Sequence, residues 1–136
     1  MRIFLDANVL FSACKSNGAV RELLSRLRAR GHVLCADEYV LAEARRNLET
    51  KQVQALVELA KLRDEIEIVP FRHTELPEIA RAALPEKDRP VLAAAIRLRC
   101  DALVTGDRTH FGKLYGVTIE GVAIHSPQSL AEAALD

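Results

Sequence analysis

Four acidic residues, Asp6, Glu43, Asp88 and Asp107, are spread along the chain, and each stands where a strand end or a helix could aim it at one common point. Carboxylates brought that close raise one another's pKa values and destabilise the fold unless cations neutralise them. Hard oxygen donors with no thiolate or imidazole among them point to Mg²⁺ or Mn²⁺ rather than Zn²⁺. Two such ions about 3.5–4 Å apart are the usual clamp for in-line attack of water on a phosphodiester. The expectation is a metal-dependent nuclease, a hydrolase acting on phosphodiester bonds. Each acid also has a structural reading. Asp6 and Asp88 could cap helices, Glu43 could be a solvated flank residue, and Asp107 could be turn chemistry. Their joint placement favours a shared site, as does Asn8, whose amide could orient a carboxylate, and Thr105, whose hydroxyl could donate to one.

The elements that must position these residues are legible in the periodicity. Short apolar runs alternate with amphipathic stretches, the pattern of β-α units laid into a parallel sheet. Residues 2–5 read as a buried strand ending at Asp6. A helix with Val20, Leu23, Leu24 and Leu27 inward stops at Gly31, and 32–36 form a second strand. Asp37 caps a helix whose apolar stripe is Val40, Leu41, Ala44 and Leu48, with Glu43 and Asn47 on its flank. Thr50 is expected to break that helix and cap the next, 65–69 is a third strand closed by Pro70, and 71–77 is linker. A short helix around 77–84 ends at Pro85. Pro90 fits only the first turn of the following helix, which puts Asp88 at its N-terminus. Residues 102–105 form the fourth strand, and Gly106 lets the chain turn sharply so that Asp107 emerges at its carboxyl end. Residues 117–119 and 122–124 read as edge strands, and Ser126-Pro127 opens a last helix. Ligands of open parallel sheets bind beyond the carboxyl ends of the strands, where Asp6 and Asp107 fall.

Composition narrows the classes. A chain of 136 residues, 49% hydrophobic and without internal repeat or linker, fits one domain over 1–136 with a core of its own. Cys14, Cys35 and Cys100 are odd in number and lack C-x-x-C spacing, so they read as buried thiols of a reducing cytosol. Nothing resembles a signal segment or a bilayer span, so a cytoplasmic protein without membrane contact is expected. Nineteen basic residues balance nineteen acidic ones, which excludes a global positive field for nucleic acid. Arg26, Arg28 and Arg30 read as a solvated helix face. Arg45 and Arg46, beside Glu43, are placed to contact a phosphate backbone. His32, His73 and His125 show no ligand spacing. His110 reads as a turn histidine, with a supporting donor or phosphate contact as the alternative.

Four segments together carry a family resemblance: Leu5-Asp6-Ala7-Asn8-Val9-Leu10, Val40-Leu41-Ala42-Glu43, Asp88-Arg89-Pro90-Val91-Leu92-Ala93-Ala94-Ala95 and Leu103-Val104-Thr105-Gly106-Asp107. In this order and spacing, over nearly the whole chain, the set resembles the PIN-domain nucleases, including the bacterial VapC-like toxins. The resemblance implies a three-layer α/β/α sandwich on a central, mostly parallel sheet. It implies Mg²⁺ or Mn²⁺ held chiefly by Asp6 and Asp88, with Glu43 and Asp107 completing the pocket. It also implies endoribonuclease activity on single-stranded RNA, homodimers, and an antitoxin partner that inserts a residue into the acidic pocket. Many relatives carry a further Asp just after the Thr-Gly-Asp segment, where this chain has Thr109 and His110.

Two other functions remain to be weighed. A HAD-type aspartyl-phosphate phosphatase would need a second Asp two residues after Asp6, and Asn8 stands there. A PIN-like interaction or RNA-binding module with a catalytically weak or inactive metal site is the other alternative, and Thr109 and His110 are the residues that leave it open. No G-x-G-x-x-G follows any strand, which removes a dinucleotide-binding reading.

Overall fold

The computed structural model describes residues 1–136. Six strands form one sheet: β1 (Arg2–Leu5), β2 (Val33–Asp37), β3 (Glu67–Val69), β4 (Ala102–Val104), β5 (Thr118–Ile119) and β6 (Val122–His125). Their order is β3-β2-β1-β4-β6-β5, parallel throughout except for the antiparallel β5–β6 pair. The helices are α1 (Ala7–Lys15), α2 (Ala19–Ala29), α3 (Glu38–Lys51), α4 (Leu56–Arg63), α5 (Glu78–Ala83), α6 (Arg89–Arg97), α7 (Arg108–Phe111) and α8 (Pro127–Leu135). They flank the sheet and give the expected three-layer α/β/α sandwich. No helix is long and apolar enough to cross a membrane.

The central strands are apolar along their whole length because both faces of a parallel sheet are covered. Ile3, Phe4 and Leu5 of β1 and Ala102, Leu103 and Val104 of β4 are all buried, and Phe4 lies in register with Cys35 on one side and Leu103 on the other. Cys14, Cys35 and Cys100 are buried free thiols. Chain order runs outward from β1 through β2 to β3, then returns to place β4 on the other side of β1. The sheet therefore reverses direction between β1 and β4, and a crevice opens beyond the carboxyl ends of those two strands.

Only three buried residues are polar or charged: Asp6, Asp37 and Thr105. Two of them, Asp6 and Thr105, end the strands that border the crevice. Asp37 caps α3 as expected, its Oδ1 accepting from the Val40 amide at 3.1 Å, and so fixes the start of the helix that carries Glu43. Asp37→Ala is expected to cost about 1–2 kcal/mol and lower the thermal midpoint by several degrees, whereas Asp37→Asn keeps an acceptor at the cap and costs less. Thermal denaturation followed by circular dichroism checks both.

Several boundaries differ from the sequence reading. Thr50 does not break a helix: it lies inside α3 with its hydroxyl donating to the Arg46 carbonyl, and the break falls at Gln52 before a short 3₁₀ turn. With helical backbone inside α3, Thr50 lacks the extended conformation that an N-cap residue adopts. The third strand is shorter than 65–69, beginning at Glu67. β6 is not an edge strand, since it pairs with β4 on one side and β5 on the other. Asp88 flanks α6, but its side chain makes no cap hydrogen bond, so the helix does not use its carboxylate.

Candidate metal centre

Asp6 is held by a network that only the β1–β4 crevice makes possible. Its Oδ1 accepts from the Ala7 amide at 2.7 Å. Its Oδ2 accepts from the Thr105 hydroxyl at 2.8 Å and from the Asn8 amide group at 3.1 Å. Asn8 in turn accepts from the Gly106 amide at 2.7 Å, and the Asp107 amide donates to Thr105 Oγ at 3.2 Å. The ends of β1 and β4 are thus stitched together by side chains that all converge on one carboxylate. The expected reason for glycine at 106 is corrected here. Its φ is not in the left-handed region; instead a Cβ there would come within 3.3 Å of Asn8 Oδ1. Glycine is needed for close approach rather than for a sharp turn.

The crevice is a cleft of about 310 Å³ lined by Asp6, Asn8, Glu43, Asn47, Lys87, Asp88, Gly106 and Asp107, with no hydrophobic residue among them. The four acids singled out by sequence line one space. Four carboxylates face a single ammonium there, and two of them, Asp6 and Asp88, are raised above the ordinary carboxylate range. Burial pushes Asp6 up to about 6, reinforced by the charges of Glu43 and Asp88 and opposed by the hydrogen bonds from Thr105 and Ala7. Asp88 is also raised, first by burial and then by Asp107, against the lowering influence of His110.

His110 enters the site in a way the sequence reading did not favour. Asp107 caps α7 by accepting from the His110 amide at 3.1 Å, and this turn swings the imidazole back over the carboxylates. Nδ1 lies 2.9 Å from Asp88 Oδ2 and 2.9 Å from Asp107 Oδ2. Yet both His110 Nδ1 and Asp88 Oδ2 are buried without an aligned hydrogen-bond partner, so these are close polar contacts rather than formed bonds. Buried polar atoms left in that state call for a partner the polypeptide does not supply. Asp88, Asp107 and His110 each present one donor atom, all within 4.8 Å of one another. Their spacing would suit a shared cation, which would add an imidazole to the donors where the sequence pointed to oxygen alone. The signal available in the sequence was the i,i+3 spacing of Asp107 and His110 across a capped turn. Asn47 and Lys87 also line the cleft without having been singled out as site residues. Asn47 lies one turn beyond Glu43 on α3, so the same flank that exposes one exposes the other.

The two arginines part company. Arg46 lies close enough to Tyr39, at the rim of the cleft, to influence its hydroxyl. Arg45 lines a separate groove between α3 and α4, with Leu41, Glu49 and Arg63. Thr109 is exposed and lines no part of the cleft.

Comparison with known proteins agrees with this architecture. The PIN-domain profile matches residues 2–109, while no curated protein matches the chain. Among solved structures, VapBC2 from Rickettsia felis, bound to a DNA fragment from their promoter, is similar at 20% identity with a TM-score of 0.70, covering 93% of this chain and 98% of that one. The PIN domain endonuclease Utp24 is similar at 17% identity with a TM-score of 0.57, covering 92% and 84%. By the extent of the profile match, the chain belongs to the PIN-domain family.

Proposed function

We propose that this protein is a Mg²⁺- or Mn²⁺-dependent endoribonuclease that cleaves single-stranded RNA and serves as the toxin of a toxin–antitoxin pair. The observation that carries the proposal is the convergence of Asp6, Glu43, Asp88 and Asp107 on one cleft without a hydrophobic residue, with Asp88 Oδ2 buried and unpartnered. Asp6, Asp88, Asp107 and Glu43 would hold the ions, and His110 adds a nitrogen donor on the Asp107 side. Bound divalent ions supply the positive charge and Lewis acidity that phosphodiester hydrolysis requires. Asn8 and Thr105 hold Asp6 in position, each donating a hydrogen bond to its carboxylate, and the Thr105 bond also favours the ionised form. Arg46 meets the RNA backbone at the rim. Arg45, directed elsewhere, has no part in this reading. The antitoxin partner, the homodimer and a cytoplasmic location rest on the likeness to VapC-like toxins.

His110 also favours a second reading, an RNA-binding PIN-like module that does not cut, since its imidazole stands between two of the acids where a cation would bind. One experiment separates the two. Labelled single-stranded RNA incubated with Mn²⁺ or Mg²⁺ is expected to be cleaved, and EDTA is expected to abolish cleavage. Metal-independent cutting would remove the proposed chemistry, and intact RNA that is nonetheless bound would support the module. As a supporting donor, His110 is expected to matter through metal affinity: His110→Ala weakens Mn²⁺ binding roughly 10–100-fold in a calorimetric titration.

A further inference from the structure

Beside the acid cleft lies a second concavity of about 480 Å³, walled by the segment 71–76 and the turn 86–90. The two share a wall. Along that turn Lys87 and Asp88 line the cleft, while Glu86, Arg89 and Pro90 line the neighbouring groove. A pair of aromatic rings links them. Tyr39 donates its hydroxyl to the Lys87 carbonyl at 2.7 Å and lies within the influence of Glu43 and Asp88. Its ring packs on Phe71 with centroids 5.4 Å apart, and Phe71, 45% exposed, lines the groove.

The groove is rich in guanidinium groups. Arg72 has no partner in the protein. Arg89 is anchored through Nε to the Leu84 carbonyl at 3.1 Å, which leaves its terminal nitrogens unpaired. Arg81 is held by Glu75. A substrate strand cannot be drawn to the cleft by the acids themselves, which repel phosphate, so attraction has to come from an adjacent surface. A chain with balanced charge has to concentrate that attraction locally.

The geometry points to this groove as the track along which a single RNA strand enters the acid cleft, with Arg72 and Arg89 contacting successive phosphates and Phe71, backed by Tyr39, stacking an unpaired base. It rests on the nuclease reading above and adds to it the surface that selects single strands. An exposed ring accepts a base face only if that base is free of a duplex, and Arg forks match phosphate oxygens.

The test is binding of a fluorescently labelled single-stranded oligoribonucleotide to the full chain in EDTA, where it is not cut, followed by anisotropy over a salt titration. Phe71→Ala is expected to weaken binding roughly 5- to 150-fold, and Phe71→Tyr to restore it. The double variant Arg72→Gln and Arg89→Gln is expected to flatten the slope of log K against log salt by about 1.4. Circular dichroism verifies the fold of each variant, and Arg72→Gln alone, at an exposed and unpaired side chain, is expected to flatten the slope by about 0.7. Unchanged binding in these variants, with metal-dependent cleavage intact in the wild type, would overturn the track and leave the nuclease standing. A wild-type chain that neither binds nor cuts RNA would overturn both. Tighter binding of a poly-glutamate peptide than of RNA would reassign the groove to an acidic protein partner.

Discussion

Asp88→Asn is expected to lower metal-dependent cleavage of single-stranded RNA by on the order of a thousandfold or more, because it removes several kcal/mol of charge stabilisation centred on the cleft. The same substitution is expected to raise the thermal midpoint of the metal-free protein. Asp88 makes no capping bond to α6, so the helix loses only a weak charge–dipole interaction when the charge goes. What disappears is first the cost of burying that charge and then repulsion with Asp107 and Asp6, set against the lost influence of His110. Cleavage assays with Mn²⁺ and thermal melts in EDTA check the two halves. Near-wild-type turnover would remove Asp88 from the site, and a lower midpoint would mean its carboxylate does structural work not visible in its contacts.

The second large effect is a reversal of the usual response to acid. Asp6 is buried and its pKa is raised from 3.8 to about 6, so the folded chain binds a proton in a range where the unfolded chain has already released it. Stability then falls as pH rises through that window, and the full cost, about 3 kcal/mol, is present above pH 6. Asp88 is shifted in the same direction and adds to it. In EDTA, the protein is expected to be more stable at pH 5 than at pH 7, with on the order of 1 kcal/mol recovered from Asp6 alone. Saturating Mn²⁺ is expected to remove the penalty at pH 7, because the ion binds the ionised carboxylates. The midpoint gain from Mn²⁺ should therefore shrink as pH drops below about 6. Calorimetric scans at both pH values, with and without Mn²⁺, provide the comparison. A metal-free midpoint that falls from pH 7 to pH 5 would contradict the raised pKa that burial gives Asp6.

Residues whose placement is decided by strand order were legible in the sequence. Asp6 and Asp107 follow runs of buried apolar residues, and any parallel arrangement sends both to the carboxyl edge of the sheet. Glu43 follows from helical phase, one flank away from Val40, Leu41, Ala44 and Leu48. That same phase carried enough information to separate Arg45 from Arg46, since positions two and three residues beyond Glu43 point to different sides. His110 was harder. Its place depends on Asp107 capping a four-residue helix, a local bond that only coordinates reveal. The groove beside the cleft was invisible for a different reason. Segment 71–76 has no repeating pattern, and its value comes from packing Phe71 on Tyr39, 32 positions earlier in the chain. Gly106 shows a related limit: the position was recognised, but the neighbour that demands it, Asn8, is distant in sequence.

The central claim is that these acids meet in order to share divalent cations, and anomalous diffraction from crystals grown with Mn²⁺ tests it most directly. The expected result is a Mn²⁺ peak at coordination distance from carboxylate oxygens of both Asp6 and Asp88, lost in Asp88→Asn crystals grown the same way. No peak in the cleft at saturating Mn²⁺, or an undiminished peak in the variant, would contradict it.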